Sequence, residues 1–234
     1  MTTQVTILND VEVTLLEHSG GDGTIADAAR VSSGPGVHSH ARDAGLINTL
    51  LRKKHGSPFE HTFMKFYIKA PIFVFREFHR HRIGFSYNEM SGRYTTLLPE
   101  FYVPQDIRPL INSGTSMNPK FIPGNRNQYV QTKEGLKDLY SRAWKEYENL
   151  LGLGIANEVA RLVLPVGIMS QMIVSCNARS LMHFLALRTE DERALFPSKP
   201  QYEIAMVARK MEAEFATHFP FTYEAFNENE RVAP

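Results

Sequence analysis

The residues best suited to chemistry lie between 76 and 94, in the run Arg-Glu-Phe-His-Arg-His-Arg-Ile-Gly-Phe-Ser-Tyr-Asn-Glu-Met-Ser-Gly-Arg-Tyr. This arginine-rich segment has four arginines against two glutamates and no lysine, although the whole chain has a net charge of only +1. A guanidinium group is a rigid fork that binds a phosphate or a carboxylate through two bonds. The composition favours a site for an anionic heterocycle over a solvated basic loop, which would not need the interleaved aromatic residues.

Other kinds of chemistry fit the sequence less well. Metal binding by His79 and His81 is opposed by the surrounding arginines, and we expect no metal. His38 and His40 lie in a Gly/Pro loop, and we expect them to be exposed. The thiol of Cys176 has no activating histidine beside it in the sequence, so we interpret it as an ordinary buried thiol rather than a nucleophile. Neither G-x-G-x-x-G after a strand nor a P-loop occurs, so a bound dinucleotide would need a site outside the Rossmann fingerprint.

Composition sets broad limits on the class of protein. A chain of 234 residues can form one large domain or two small ones. No apolar run is long enough for a membrane span, and residues 1–4 do not resemble a secretion signal. The single cysteine excludes a disulfide framework and fits a reducing, cytoplasmic setting. The near-neutral charge argues against a general nucleic-acid-binding protein.

Strands and helices alternate around the arginine-rich segment. Strands are predicted at 5–8, 11–16, 63–69 and 167–175, and helices at 24–32, 39–54, 71–79, 127–151, 155–164, 177–188 and 201–219. The strand 63–69 alternates, with one face formed by Met64, Phe66 and Ile68, and the helix 39–54 has an apolar face formed by Ala44, Ile47, Leu50 and Leu51. Asn127 and Asn177 are the predicted N-caps of their helices. The arginine-rich segment is predicted to continue as a loop where the helix 71–79 ends, so that its arginines lie on or just past the helix terminus. A helix C-terminus disfavours anions, so the amides and guanidinium groups of the loop must hold any anionic ligand. The stretch 104–125 is expected to be a long, mobile excursion that could act as a lid.

The order of residues inside the segment resembles a known signature. Arg80-His81-Arg82, eight further residues and then Ser91 is similar to the signature of the flavin-dependent thymidylate synthases, and here it is also followed by Gly-Arg-Tyr. Further blocks that resemble the family are Ala29–Ser32, His55–His61, Glu158–Arg161, Asn177–Leu181 and Arg188. The resemblance covers residues 5 to 225, which is nearly the whole chain.

The resemblance implies a fold, an assembly and a reaction. The implied fold is an α/β fold of the α+β type, particular to the family, with a central sheet and flanking helices and without a Rossmann arrangement. One domain would span 1–225, followed by a polar C-terminal tail at 226–234. The implied enzyme is a homotetrameric methyltransferase of dTMP biosynthesis. It converts dUMP to dTMP with methylenetetrahydrofolate as carbon donor and NADPH as reductant through FAD.

The resemblance also assigns site residues by position. Contacts with FAD are implied for Ser57, Arg80, His81, Arg82, Glu89, Asn177, Arg179 and His183. Contacts with dUMP are implied for Glu77, Arg80, Glu89, Ser91, Gly92, Arg93, Arg161 and Arg188. Arg188 is the implied catalytic residue, because a guanidinium group at the uracil edge favours ionisation at N3. Positions 77 and 183 are often glutamine and asparagine in the family, and a carboxylate at 77 cannot donate a hydrogen bond unless it is protonated.

Two other functions remain open. One is an RNA- or nucleotide-binding module that uses arginine and aromatic side chains. The other is a catalytically inactive paralogue that serves only as an oligomer. The enzyme interpretation predicts dUMP, a folate and further copies of the chain as partners, and neither nucleic acid nor a membrane. A flavin absorbance spectrum that NADPH bleaches would favour the enzyme over both alternatives.

Overall fold

The structure is a computed structural model that describes residues 4–34 and 40–234. His38 and the side chain of His40 lie outside this description. Contacts divide the chain into two compact units, each assembled from three segments. Unit 1 comprises Met1–Val11, Lys69–Arg76 and Glu89–Gln171, and unit 2 comprises Glu12–Ile68, Glu77–Asn88 and Met172–Pro234. The single domain over 1–225 stays a prediction.

Strands and helices alternate along the described residues. The strands are β1 Thr6–Leu8, β2 Glu12–Ser19, β3 Phe63–Pro71, β4 Phe85–Glu89, β5 Glu100–Tyr102, β6 Ile111–Asn112, β7 Phe121–Ile122 and β8 Met169–Cys176. The α-helices are α1 Asp22–Arg30, α2 Asp43–Arg52, α3 Ile72–Phe78, α4 Arg126–Gly152, α5 Asn157–Ala160, α6 Ala178–Arg188, α7 Tyr202–His218 and α8 Pro220–Glu228. Short 3₁₀ helices lie at Val31–Ser33, His40–Arg42, Ser57–His61 and Arg161–Val163. None of the helices described here combines the length and apolarity needed to cross a bilayer.

Unit 1 is built on the long helix α4. The side chain of Asn125 accepts a hydrogen bond from the Gln128 amide at 2.9 Å, and the Gln128 side chain accepts one from the Asn125 amide at 2.8 Å. This reciprocal capping box makes Asn125 the cap and starts the helix at Arg126, so the cap lies two residues before the predicted Asn127. The core of the unit includes Phe101, Tyr140, Trp144, Tyr147 and Ile168.

The remaining strands of unit 1 are short. Strand β1 pairs in parallel with β5, with Ile7 opposite Phe101. The stretch 104–125, which we predicted to be a long, mobile excursion, contains the antiparallel pair of β6 and β7.

A four-stranded sheet has the order β2-β3-β8-β4. Strand β3 shows the predicted alternation, and its side chains Met64, Phe66 and Ile68 are completely buried. Helix α7 packs on β2, and α6 packs on α7. The predicted α/β class without a Rossmann arrangement is confirmed by this mixture of helices and sheet.

Helix α2 of unit 2 buries a face that differs in one position from the prediction. Ile47, Leu50 and Leu51 are buried as expected, but Ala44 is exposed. Asp43 is buried instead, and its carboxylate is 2.6 Å from Nη2 of Arg30. A partly buried ion pair with Arg30 therefore lies at the first turn of the helix, where the apolar pattern predicted that Ala44 would face the core.

Two further expectations need correction. The arginine-rich segment is not one loop, since residues 85–89 form β4. The predicted polar tail at 226–234 is partly helical, because α8 extends to Glu228. Beyond the helix, Arg231 is only 2% exposed. Polar composition therefore did not predict exposure at this end of the sequence.

Candidate functional site

The turn after α3 holds residues 80–82 in a fixed shape. The amide of His81 donates to the Phe78 carbonyl at 2.8 Å. The hydroxyl of Tyr87 lies 2.8 Å from the Phe78 carbonyl oxygen and 2.7 Å from that of His81, so two carbonyls share its proton. Burial, and then the nearby Cys176, raise the pKa of Tyr87 and keep its hydroxyl a donor. Tyr87 was not among the predicted site residues. Its position in an alternating stretch of the sequence could have indicated that its side chain points inward.

A cavity of about 640 Å³ lies in unit 2 beside this turn. Ligand pockets typically have about 300 to 1,000 Å³. The cavity lining includes six residues that were predicted to contact FAD: Arg80, His81, Arg82, Asn177, Arg179 and His183. No individual ligand contact was predicted for the other lining residues, which are Glu60, Ile83, Gly84, Phe85 and Ser180. The cavity therefore combines three guanidinium groups with an aromatic ring and two imidazoles.

The start of α6 directs Arg179 at this cavity. The side chain of Asn177 accepts from the Ser180 amide at 2.9 Å, which is the predicted N-cap. Nη1 of Arg179 is 2.5 Å from Oε1 of Glu60, and its Nε–H donates to the Pro234 carbonyl at 2.7 Å. A Cβ on Gly56 would lie 2.5 Å from Cζ of Arg179, so this glycine leaves room for the guanidinium group.

At the other end of α6, Arg188 joins two residues of the arginine-rich segment. Its Nη1 is 2.6 Å from Oε2 of Glu77, and its Nε–H donates to Nε2 of His81 at 3.0 Å. Burial is the main cause that lowers the pKa of His81 to about 4, followed by the charges of Arg188, His183 and Arg80. His81 is therefore a neutral imidazole at pH 7, with its proton on Nδ1.

Other predicted nucleotide-binding residues gather in unit 1. Nε–H of Arg93 donates to Oε2 of Glu158 at 2.9 Å. The Arg93 amide lies 3.3 Å from Oγ of Ser91. A Cβ on Gly92 would lie 3.3 Å from Cδ of Arg161. Ser91, Gly92, Arg93 and Arg161 thus lie close together, and Arg93 pairs with Glu158.

Two predicted flavin contacts lie away from the cavity lining. Ser57 is exposed on the 3₁₀ helix that carries Glu60. Glu89 belongs to unit 1, where its Oε1 accepts a hydrogen bond from Oγ of Ser170 at 2.9 Å. The structure therefore does not bring Ser57 and Glu89 to the cavity with the other six.

Cys176 is a buried thiol, and the part of the chain that the structure describes contains no candidate metal cluster. Cys176 is buried as predicted, and burial raises the pKa of its thiol. Within residues 4–34 and 40–234, no group of three or more His, Cys, Asp or Glu is arranged to hold a metal ion. The chemistry of the described site therefore rests on guanidinium, imidazole and carboxylate groups.

Known proteins resemble the chain over almost its full length. The family model described as "Thymidylate synthase complementing protein" matches residues 14–221. A flavin-dependent thymidylate synthase of Streptomyces avermitilis is 53% identical over 233 residues, which cover 97% of this chain and 94% of that protein. One from Tropheryma whipplei strain TW08/27 is 46% identical over 232 residues, which cover 97% and 96%. The crystal structure of PolB, a UMP/dUMP methylase from Streptomyces cacaoi bound with 5-Br UMP, matches with a TM-score of 0.94 and 42% identity, covering 99% of this chain and 100% of that chain. The chain belongs to the flavin-dependent thymidylate synthase family.

Proposed function

We propose that this protein catalyses the reductive methylation of dUMP to dTMP. Methylenetetrahydrofolate would supply the carbon, and NADPH would supply reducing equivalents through FAD. The observation that carries the proposal is the cationic cavity, which adjoins Arg188 through its hydrogen bond to His81. The names of the relatives at 46–53% identity support the same reaction.

The cavity residues fit a flavin dinucleotide. Arg80, Arg82 and Arg179 offer guanidinium groups for a diphosphate, and Phe85 offers a ring for stacking. His183 adds no charge at pH 7, because burial and then Arg179 lower its pKa. FAD bound here would pass reducing equivalents from NADPH to the nucleotide.

Arg188 would stabilise the negative charge that develops on the uracil ring. A guanidinium group has five N–H donors, and the contacts with Glu77 and His81 use two of them. The others can serve a nucleotide. Glu77 then accepts from Arg188 and orients it. In this role the carboxylate does not need to donate a hydrogen bond to dUMP.

The arginines of unit 1 would hold the nucleotide phosphate. Arg93 and Arg161 lie beside Gly92, a residue without a side chain that would block a close approach.

We further propose a homotetramer in the cytoplasm, with active sites shared between copies. Mixing the inactive variants Arg93→Ala and Arg179→Ala under subunit exchange should restore part of the activity, because some reassembled sites carry neither lesion. No recovery under proven exchange would count against sharing.

The function can be tested on the purified protein with FAD. The expected result is a flavin spectrum that NADPH bleaches, and dTMP formation from dUMP and methylenetetrahydrofolate. A protein that binds no FAD would favour the nucleotide-binding module, and one that binds FAD without turnover would favour the inactive paralogue.

A second candidate substrate is UMP. The PolB structures are of an enzyme described as a UMP/dUMP methylase, and they contain 5-Br UMP in one case and 5-Br dUMP in the other. Assays with UMP and dUMP at equal concentrations would compare the two. We expect dUMP to be preferred, as the names of the relatives indicate.

A further inference from the structure

Arg231 is a buried arginine that connects three elements of unit 2. Its side chain is 1% exposed. Nη1 is 2.7 Å from Oε1 of Glu212 in α7, 2.7 Å from Oδ1 of Asn227 in α8 and 3.4 Å from Oδ2 of Asp191. Nη2 donates to Oγ1 of Thr189 at 2.8 Å. Since Thr189 caps the end of α6, Arg231 ties α7 and α8 to the residue that follows Arg188.

The backbone around Arg231 adopts an uncommon conformation. Glu230 and Arg231 have φ angles of +56° and +55°, in the left-handed region that side chains other than glycine rarely occupy. This strain is compensated by the contacts that the buried guanidinium group makes. The turn is held further by the Leu195 amide, which donates to the Glu230 carbonyl at 2.9 Å. An exposed tail would lack the contacts that compensate for the strain in this turn.

The chain after this turn reaches the opposite end of α6. Nζ of Lys54 is 3.1 Å from the Val232 carbonyl oxygen, and Nε–H of Arg179 donates to the Pro234 carbonyl at 2.7 Å. Thr189 and Arg179 are ten residues apart, or about 15 Å along a helix. The Arg231 side chain and the three residues after it are long enough together to span this distance.

We propose that residues 229–234 form a brace along α6, and that Arg231 is a positioning residue for Arg188. The brace fixes Thr189 through a hydrogen bond and so fixes the adjacent Arg188, while its other end holds Arg179 at the cavity. This proposal rests on the proposed function, because the brace would position Arg188 and Arg179, which would contact dUMP and FAD.

The test uses Thr189→Val, which removes the hydroxyl that accepts from Arg231 and donates to the Leu185 carbonyl at 2.7 Å. Valine keeps the β-branched shape and suits the extended backbone at this position, where φ is −119° and ψ is 141°. The matched control is Thr222→Val, since Thr222 is also buried and its hydroxyl donates to Oδ1 of Asp22 at 2.6 Å, far from α6 in sequence. We expect Thr189→Val to lower kcat about 5- to 20-fold, with KM for dUMP within about twofold. Thr222→Val should lower Tm without changing kcat.

A second variant tests the bond itself. Arg231→Lys keeps the charge but loses the fork. Combined with Thr189→Val, it should lower kcat no further than the more damaging single substitution, because both remove the same link. Equal kcat in Thr189→Val, Thr222→Val and the unaltered protein would overturn the brace, and so would fully multiplicative losses in the double variant.

Failure of the brace and failure of the proposed function are distinguishable. If the unaltered protein forms no dTMP, the proposed function fails. The brace would still be measured in the flavin-free protein as faster amide hydrogen exchange at residues 186–190 in Arg231→Lys than in Thr222→Val, because Arg231→Lys leaves the bond from the Thr189 hydroxyl to the Leu185 carbonyl in place. Unchanged exchange there would reject the brace independently of catalysis.

Discussion

Arg188 donates its Nε–H to Nε2 of His81 across 3.0 Å, and this bond requires a neutral histidine. A protonated His81 would have no acceptor at Nε2 and would place a second cation against the guanidinium group. Burial, and then the charges of Arg188, His183 and Arg80, accordingly lower the pKa of His81 to about 4. The arginine-rich segment is thus linked to α6 through an imidazole that stays neutral in the physiological pH range.

The first prediction concerns pH. The unfolded chain takes up a proton at His81 near pH 6.5, whereas the folded protein does so only near pH 4. The free energy of unfolding should therefore fall as pH falls from 6.5 to 4, since the unfolded state binds the extra proton. In His81→Gln, which cannot titrate, this part of the slope should be absent. Urea unfolding at several pH values measures both slopes, and identical slopes would show that His81 is not the responsible group.

Gly56 offers a test of how Arg179 is held. Its φ and ψ of −80° and −31° suit alanine, so Gly56→Ala should fold without backbone strain. The new methyl group would displace the Arg179 guanidinium group, and FAD affinity should fall about 10- to 100-fold, as expected for one lost hydrogen bond to a charged group.

The control for this substitution is Gly45→Ala in helix α2, where an added Cβ meets nothing within 4 Å. It should stabilise the protein by about 0.5 to 1 kcal/mol and leave FAD affinity unchanged. Titration with FAD followed by fluorescence compares the variants. Equal affinity in both would mean that Arg179 does not depend on the space at Gly56.

Local signals predicted the parts of the fold that depend on neighbouring residues. The alternation of β3 follows from the order of adjacent residues in the strand. The Asn177 cap is equally local, because it joins residues only three positions apart. The cap of α4 was placed two residues late, although Asn125 and Gln128 have the spacing of a capping box. That error was avoidable from the sequence.

Contacts between distant residues could not be predicted in the same way. Nothing local indicates that Arg231 is buried, because its partners Glu212 and Thr189 lie 19 and 42 residues away in the sequence. The pair of Arg188 and His81, separated by 107 residues, is equally invisible to local patterns. The family resemblance grouped Arg188 with the site, but only the structure gives it His81 and Glu77 as partners.

Cys176 should be dispensable for catalysis. Its thiol is buried and its pKa is raised by burial, so no thiolate forms at neutral pH. Cys176→Ala should cost about 1 kcal/mol of stability through the small cavity it leaves, with kcat within about twofold of the unaltered protein. Activity per bound flavin is the measurement. A folded, flavin-loaded variant without turnover would require a mechanism that uses the thiol.

The last prediction separates activation of the uracil from binding of the nucleotide. Arg188→Ala should lower kcat by a factor of a few hundred, or about 3 to 4 kcal/mol, because its guanidinium group stabilises charge that develops only in the transition state. Arg188→Lys should recover part of the rate, since lysine keeps the charge but loses the fork that joins Glu77 and His81. Arg93→Ala should instead raise KM for dUMP with a smaller effect on kcat, as expected for a residue that binds substrate and transition state equally.

The control is Arg142→Ala, because Arg142 is exposed and its ion pair with Asp138 lies at the surface. It should change neither constant. Steady-state turnover at saturating dUMP, with dUMP affinity measured separately, distinguishes the variants. If Arg188→Ala binds dUMP weakly but reaches normal turnover at saturation, then Arg188 contributes binding alone, and the developing charge on the uracil must be stabilised by another group.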